Sequence, residues 1–543
     1  MGCSWAFVTF PVLSFLQLVK PPDCGSEPLN RCCRALVQPE ALFFLAVWAS
    51  FLALFQERGF YDPGALWHTV VGERILTDGF MTTDPFTYTH EGRTWIPQQW
   101  GAEVLMALAH RVGGLDTMLL GFVTLVAGLF TWVFLRMRQA GMHWALAGVL
   151  TGAVLFTASF HFYVRPHMAT IALLGWTMGC LVDFDRGRVS SARLAGLIPL
   201  FILWTNLHAG VLGGVMTFGL ALAGWGLLFL LKRGGPIRSW RSAWLVTGIL
   251  ASCALTPFDN PFGMEMIHTW QRIVGSTVLK DVVSEHKPLD LTQRLDQVIA
   301  ACGLFYIVLL AGVLPKSRRE FRITWLIPLV WLVLTFKGIR QGPLFAITAG
   351  VVIADFWPHT IWQTLLKKYG DSLAYGSDDV QLRPVTFTLP IIAVLTALGL
   401  QVGGVAVPVI GHGWAKLDTR LTPTDLTETI ETEMTRTGPH ARILNDCNLG
   451  GYWIYHHPKW KSFMDDRFEL FGDAWTSAYV DMLWEHPEKI EEYADQYGCT
   501  HALVATDPEQ PPLDAYLSKS PRWQEVGRSV RTVFYRRVAV RGE

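Results

Sequence analysis

The chain has 543 residues, of which 51% are hydrophobic and only 17% are charged, and its mean hydropathy is +0.30. This apolar excess is too large for an ordinary soluble enzyme and indicates a membrane protein. The 45 Lys and Arg residues are balanced by 45 Asp and Glu residues, which excludes the basic excess typical of nucleic-acid binding and the acidic excess typical of disordered scaffolds. The nine cysteines include no Cys-x-x-Cys pair, so no zinc site is indicated.

The chain begins with a segment that is apolar from Phe7 to Val19. This stretch is too short to cross a membrane, and no small-residue cleavage site clearly follows it. We therefore expect residues 1–37 to form a cytoplasmic or interfacial segment.

Apolar runs long enough to cross about 30 Å of hydrocarbon recur from Ala41 to Val407. We predict about eleven membrane spans. They lie near residues 38–55, 117–135, 143–161, 168–184, 194–208, 210–231, 243–257, 297–314, 323–336, 343–357 and 386–407. The predicted fold class is a polytopic α-helical membrane protein over residues 38–408, followed by a soluble α/β domain over residues 409–543.

Basic residues cluster in alternate connections between these spans. Arg136 and Arg138 follow the second span, and Lys316 and Arg319 follow the eighth. Basic residues in short loops favour the cytoplasmic side of the membrane. We therefore expect the N-terminus in the cytoplasm and, with an odd number of spans, the C-terminal domain outside it.

Two long loops, residues 56–116 and 258–297, share that outer side, and loops of this length are usually functional. In the first loop, Asp62-Pro63 followed by spaced apolar residues predicts an amphipathic helix at the membrane interface, with Asp62 as its N-cap. Residues 100–112 predict a second short helix, on which we expect Glu103 to lie on a solvated face.

Polar residues that are unusual in a membrane region gather on the same outer side. Ionisable groups near the bilayer are costly, so such a cluster indicates a functional site. Its members are Asp62, His68, Asp84, Glu103, Arg165, His167, Asn206, His208, Asp259, Glu285, Lys337 and Arg340.

Each of these residues also has a structural interpretation. Asp62 and Asp84 precede prolines and suit a helix cap and a turn. Arg165 and Lys337, like Arg340, suit lipid phosphates, and the histidines suit helix ends better than a metal site. The sequence favours function only through their joint placement.

The C-terminal domain alternates apolar strands with helical stretches, an α/β pattern. The predicted strands are residues 442–444, 462–464, 502–506 and 531–536, with a helix over residues 477–497. Asp466 and Arg467, in the run Asp-Asp-Arg after the second strand, suit a metal or polar acceptor, or else a strand-end turn. No glycine-rich nucleotide motif follows any strand, so nucleotide binding has no support.

Cys447 and Cys499 lie near the edges of two predicted strands in this domain. An oxidising compartment permits a disulfide between them, and two free thiols are the alternative.

The order of these features resembles the GT-C glycosyltransferases, which are polytopic enzymes that use lipid-phosphate-linked sugars. The segments YDPGALWHTVVGERILTDG and TTDPFTYTHEGRTW are similar to the first loop of a large group of bacterial membrane proteins. That group also has segments matched here by Arg165 to His167, Trp204 to Gly210, Arg340 to Pro343 and Gly450 to Arg467. The layout of the C-terminal domain is also similar to the catalytic subunit of oligosaccharyltransferase, although the tryptophan pair of its acceptor motif is missing.

The resemblance implies a glycosyltransferase of the bacterial inner membrane that moves a sugar from a polyprenyl-phosphate donor to an extracytoplasmic acceptor. Its implied partners are that lipid-linked donor and membrane lipids. On this interpretation, we expect Asp62 to act as general base, or to hold a divalent cation such as Mg²⁺ or Mn²⁺, and Asp84 to assist. We expect the donor phosphate to be bound by Arg340, Lys337 and Arg165. The other site candidates are His68, His167, Asn206, His208, Glu285, Asp466 and Arg467.

Two other functions are compatible with the sequence. A transporter or flippase of lipid-linked intermediates requires internal repeats and polar residues at mid-membrane, in broken helices. A non-catalytic envelope assembly protein requires only a C-terminal domain that binds partners.

Overall fold

The computed structural model describes residues 36–279, 283–370, 383–506 and 512–538, so the predicted N-terminal segment 1–37 lies almost wholly outside the described residues. The described chain is mostly helical. Its helices of seven or more residues are α1 Pro39–Leu54, α2 Gly64–Asp78, α3 Trp100–Gln139, α4 Trp144–Ala158, α5 His167–Asp185, α6 Leu197–Leu207, α7 Val211–Leu230, α8 Trp240–Leu255, α9 Met264–Gly275, α10 Arg294–Ala311, α11 Ile327–Lys337, α12 Gly342–Phe356, α13 Ile361–Tyr369, α14 Thr388–Val402, α15 Thr427–Thr437, α16 Gly450–His456, α17 Asp473–Trp484 and α18 Ile490–Tyr497.

Every predicted span falls on one of these helices. In the described part of the chain, seven helical segments are long and apolar enough to cross a membrane, and three shorter apolar helices accompany them. Helix α12 is apolar on all sides and is buried along nearly its whole length, which is typical of a central helix in a bundle. The predicted fold class, a polytopic α-helical membrane protein with a C-terminal α/β domain, is confirmed.

Helix α3 is 40 residues long, about twice the length that a bilayer requires. Its backbone leaves helical geometry at Gly113 and at Gly114, where φ is +67°. This left-handed conformation is one that glycine adopts without strain. The kink separates the predicted loop helix, residues 100–112, from the predicted second span, residues 117–135.

The C-terminal domain contains a four-stranded sheet with the order β1-β2-β4-β3. Its strands are β1 Ile443–Asn445, β2 His501–Ala505, β3 Trp523–Arg528 and β4 Thr532–Arg537, and only β1 and β2 are parallel.

Two details of this domain were predicted wrongly. Residues 462–464 form no strand of the sheet, because Ser462 makes only an isolated bridge to Thr87 of the first long loop. The predicted helix over residues 477–497 is two helices, α17 and α18, because Pro487 interrupts it.

Of the two alternatives for Cys447 and Cys499, the structure has the free thiols, and both are buried. Cys447 follows the end of β1 and Cys499 precedes the start of β2, and these strands run parallel with Ile443 opposite His501. The two thiols therefore lie at opposite ends of the strand pair. The Cys499 sulfur instead contacts the Tyr88 hydroxyl at 3.3 Å.

Helix α2 joins the two parts of the molecule. It forms where the amphipathic pattern predicts a helix, but its apolar side packs into the C-terminal domain and not onto the membrane surface. Trp67 and Val71 belong to the same buried cluster as Leu444, Phe463 and Tyr479. The first long loop is thus a rigid spacer between the helix bundle and the C-terminal domain.

Candidate functional site

The motifs singled out in the sequence lie against one another at this junction. A Cβ on Gly64 would lie 2.9 Å from the Arg165 guanidinium, and one on Gly451 would lie 2.2 Å from the Pro63 carbonyl oxygen. A Cβ on Gly450 would lie 2.6 Å from the Asp465 Cα. Glycine permits these approaches because it has no Cβ. The segments that meet at this place are Asp62–Gly64, Arg165–His167, Gly450–Tyr452 and Asp465–Arg467.

A cavity of about 930 Å³ opens at this place, between the helix bundle and the C-terminal domain. Its apolar wall comes from α7, α11 and the start of α12, and it includes Leu212, Met216, Trp331, Leu334 and Leu344. Its polar wall includes Asp62, Glu103, His161, Arg165, His167, His208, Glu285, His286, Arg340, Asp446, Asp466, Arg467 and Glu469. A cavity with one apolar side and one charged side suits an amphiphilic ligand.

Arg165 is at the centre of the charged wall. Its guanidinium donates to Asp62 Oδ2 at 2.6 Å and lies 4.0 Å from Asp466 Oδ2. The other Asp62 oxygen accepts from the Gly64 backbone N–H at 2.8 Å. Asp62 therefore lies just before α2, where it bonds to the first helical N–H, and it also lines the cavity.

Asp466 has one oxygen that is not used by the protein. Its Oδ1 is buried and has no hydrogen-bond partner among the described residues. Burial raises the pKa of the Asp466 carboxyl to about 7, and the neighbouring Asp62 carboxylate adds to that rise while the Arg165 charge opposes it. This carboxyl can exchange a proton near neutral pH.

A second cation, Arg340, faces the cavity from the turn before α12. Its guanidinium donates to the His286 imidazole, and no carboxylate of the described residues lies within 4.0 Å of it. Nearby, Glu285 pairs with His161 at 3.3 Å. Burial alone would raise the pKa of Glu285, but the hydrogen bond and charge of His161 and the charge of Arg165 lower it to about 2.

Two further predicted site residues lie in the same wall. His167 Nε2 lies 2.8 Å from the His161 carbonyl oxygen. His208 Nδ1 accepts from the Gly210 N–H at 2.9 Å and lies 2.9 Å from the Thr170 hydroxyl.

Five of the polar residues singled out in the sequence lie outside the cavity wall, namely Asp84, Asn206, Lys337, His68 and Asp259. Asp84 is buried in a turn, where it accepts from the Phe86 and Thr87 N–H groups at 3.1 and 3.0 Å. Asn206 accepts from the Trp100 indole at 2.6 Å, which ties two helices together. Lys337 is exposed at the end of α11.

Arg467 lines the cavity but is held in a buried cluster. It pairs with Asp84 at 2.8 Å and with Asp465 at 2.6 Å, and its own side chain is inaccessible to solvent. Its guanidinium also lies over the rings of Trp95 and Phe86, at 4.6 and 5.1 Å. Through these contacts, Arg467 connects the first long loop to the C-terminal domain.

The expectation that Glu103 lies on a solvated face is wrong. Glu103 is 1% exposed, and its Oε1 lies 2.8 Å from Nδ1 of the equally buried His68. Burial, followed by the charge of Arg165, lowers the pKa of His68 well below its usual value. Glu103 lines the cavity, whereas His68 lies behind it. Nothing in the sequence separates Glu103 from an ordinary surface glutamate.

Asp62 is poorly suited to hold a divalent cation. Both of its oxygens are already bonded, to Gly64 and Arg165. Within the described ranges, the one grouping of three or more candidate metal ligands is Asp481, Glu485 and His486, none of which lines the cavity.

These features define an integral membrane protein with a mixed polar and apolar cavity beneath a C-terminal α/β domain. No family model matches the sequence, and no curated protein matches it. Among solved structures, the chain is similar to ArnT from Cupriavidus metallidurans. In the apo state the identity is 14% and the TM-score 0.45, covering 92% of this chain and 97% of that one. For ArnT bound to undecaprenyl phosphate the identity is 15% and the TM-score 0.47, covering 92% and 98%.

Proposed function

We propose that the protein is a membrane glycosyltransferase that moves a sugar from a polyprenyl-phosphate donor to the hydroxyl group of an acceptor. The observation that carries this proposal is the cavity, in which an apolar wall faces two arginines and a carboxyl that is free to take a proton. The sequence resemblance to the GT-C glycosyltransferases agrees with this chemistry. The basic loops support a reaction on the extracytoplasmic side.

The apolar wall formed by α7, α11 and α12 suits the first isoprene units of the donor. Arg340, which has no carboxylate partner in the described part of the chain, suits the phosphate. Arg165, in the same cavity wall, adds positive charge, although Asp62 already neutralises part of it.

In the proposed reaction, the acceptor oxygen forms a bond to the anomeric carbon while the bond from that carbon to the phosphate oxygen breaks. The acceptor proton passes to Asp466 Oδ1, and the polyprenyl phosphate leaves with its charge opposed by Arg340 and Arg165. We assign the proton to Asp466 and not to Asp62, because both Asp62 oxygens are engaged. Asp62 then positions Arg165.

A deletion strain tests this function. Mass spectrometry of the cell envelope should show loss of one sugar substituent and accumulation of its lipid-linked donor, and the wild-type chain should restore both. A translocation defect leaves the donor on the cytoplasmic face, so accessibility of the accumulated donor to a membrane-impermeant chemical reagent in intact spheroplasts separates transfer from flipping. An unchanged envelope composition contradicts the proposal.

Arg340→Ala should weaken binding of a short-chain prenyl phosphate by about 10-fold to 100-fold, because a charge-assisted hydrogen bond to phosphate is lost. The measurement is calorimetric binding to purified protein. Lys337→Ala is the matched control, since that cation is exposed and outside the cavity. Equal losses in both variants would point to nonspecific charge attraction.

Asp62→Asn should fold, because an Asn oxygen can still accept from the Gly64 N–H. It should lower transfer by about 10-fold through loss of the charged contact to Arg165. Because the Asp62 carboxylate raises the pKa of Asp466, its removal should also move the midpoint of the pH–rate profile to lower pH. Complete inactivity at every pH would instead make Asp62 the base.

A further inference from the structure

One end of the cavity is lined by Trp67, Gln98, Glu103, Asp466 and Glu469, which together we call the inner recess. Trp67 comes from α2, while Gln98 and Glu103 flank the start of α3. Trp95 packs beside these residues. Its indole N–H donates to Glu469 Oε1 at 3.1 Å, and its ring lies 6.4 Å from that of Trp67. The recess therefore has rigid walls.

Polar atoms in this recess lack partners. The indole N–H of Trp67, Oε1 of Gln98 and Oε2 of Glu103 are buried and make no hydrogen bond among the described residues. The three side chains are only 5%, 9% and 1% exposed. Buried polar groups in folded proteins nearly always have partners. Several such atoms in one wall of an open cavity indicate a polar ligand.

The charges of the recess describe that ligand. Glu103, Glu469 and Asp466 contribute carboxyl groups, whereas the nearby Arg467 is already neutralised by Asp84 and Asp465. The unpartnered atoms are mainly acceptors. Without a free cation among the described residues of the recess, an anionic phosphate is disfavoured here. Burial raises the pKa of the Glu103, Glu469 and Asp466 carboxyl groups, so they can donate as well as accept hydrogen bonds, which favours a ligand rich in hydroxyl groups.

We propose that the inner recess binds the sugar ring of the donor and sets its specificity. Sugar hydroxyls donate to Gln98 Oε1 and Glu103 Oε2, and a ring or hydroxyl oxygen accepts from the Trp67 N–H. This inference rests on the proposed function, since it assigns the donor sugar to residues of the cavity wall that include neither Arg340 nor Arg165.

The test compares two probes on purified full-length protein in lipid nanodiscs. One probe is farnesyl phosphate, and the other is a small panel of farnesyl phosphoryl hexoses and pentoses. Calorimetry measures the affinity of wild-type protein for each. At least one glycosylated probe should bind about 10-fold or more tightly than bare farnesyl phosphate.

Two substitutions assign this preference to the recess. Trp67→Phe keeps an aromatic ring but removes the indole N–H together with part of the ring, and Glu103→Gln keeps the shape and the contact to His68. The first should lower affinity for the glycosylated probe about 5-fold, and the second about 10-fold, with bare farnesyl phosphate bound as by wild type. Glu73→Gln is the matched control, because Glu73 is exposed on α2 and pairs with Arg111.

The outcomes separate the two proposals. If wild-type protein binds bare farnesyl phosphate but gains nothing from any sugar, the recess proposal is wrong and the phosphate site stands. If the variants lose both probes equally, the recess side chains are structural and the proposal is again wrong. If bare farnesyl phosphate does not bind at all, the proposed function itself fails.

Discussion

Asp466→Asn is expected to lower the rate of sugar transfer by about 10² to 10⁴-fold while the protein still folds. The expected loss is that of a general base. Folding should persist because Asp466 Oδ1 makes no hydrogen bond in the described structure, and its Oδ2 is 4.0 Å from Arg165. The amide of Asn fits the same space but cannot take the proton. The measurement is transfer from the native lipid-linked donor in membranes containing equal amounts of each protein.

The pH dependence gives an independent check on the same residue. The base acts as a carboxylate, and burial raises the pKa of Asp466 to about 7. The wild-type rate constant should therefore rise with pH up to about 7 and then level off, and any residual rate of Asp466→Asn should lack this rise. Asp481→Asn, on the exposed surface of the same domain, is the control and should keep the wild-type profile. A full rate for Asp466→Asn would remove this residue from the chemistry.

Much of the fold could be predicted because hydropathy is a local property. Runs of apolar residues identified every helix of the bundle, and Asp62-Pro63 identified the start of α2. The surroundings of α2 were not predictable, because an amphipathic helix has the same pattern whether its apolar side faces lipid or protein. Only the fold shows that Trp67 packs into the C-terminal domain.

The site was predictable in part for the same reason. Polar residues at helix ends, such as Arg165 and Arg340, are conspicuous against an apolar background. Asp84 was conspicuous too, yet it is buried in a turn, because burial and partner choice depend on distant residues such as Arg467. Glu103 was missed since its partner, His68, lies on another helix. Strand β3 was missed because it has a mostly exposed, polar sequence with an irregular register at Gly527.

Arg467 couples the site to the stability of the molecule. It lines the cavity, yet its charge is balanced by Asp84 of the first long loop and Asp465 of the C-terminal domain. Asp466 lies between Asp465 and Arg467 in the chain. The orientation of the proposed base therefore depends on an ion-pair cluster that makes no contact with Asp62.

Arg467→Met is accordingly expected to destabilise the protein by about 3–5 kcal/mol, because it leaves two buried carboxylates without a counter-charge. Thermal unfolding of purified full-length protein, followed by differential scanning fluorimetry, should show a clearly lower midpoint. Adding Asp84→Asn and Asp465→Asn to the same chain removes the stranded charges and should recover part of the loss. Arg111→Met is the control: it breaks an exposed pair with Glu73, which contributes at most about 1 kcal/mol. An Arg467→Met protein as stable as that control would mean that the cluster adds little to stability. The junction between the loop and the C-terminal domain would then be maintained by its other contacts, such as the packing of Trp67 and the hydrogen bonds from Trp95 to Glu469 and from Thr89 to the Phe463 carbonyl.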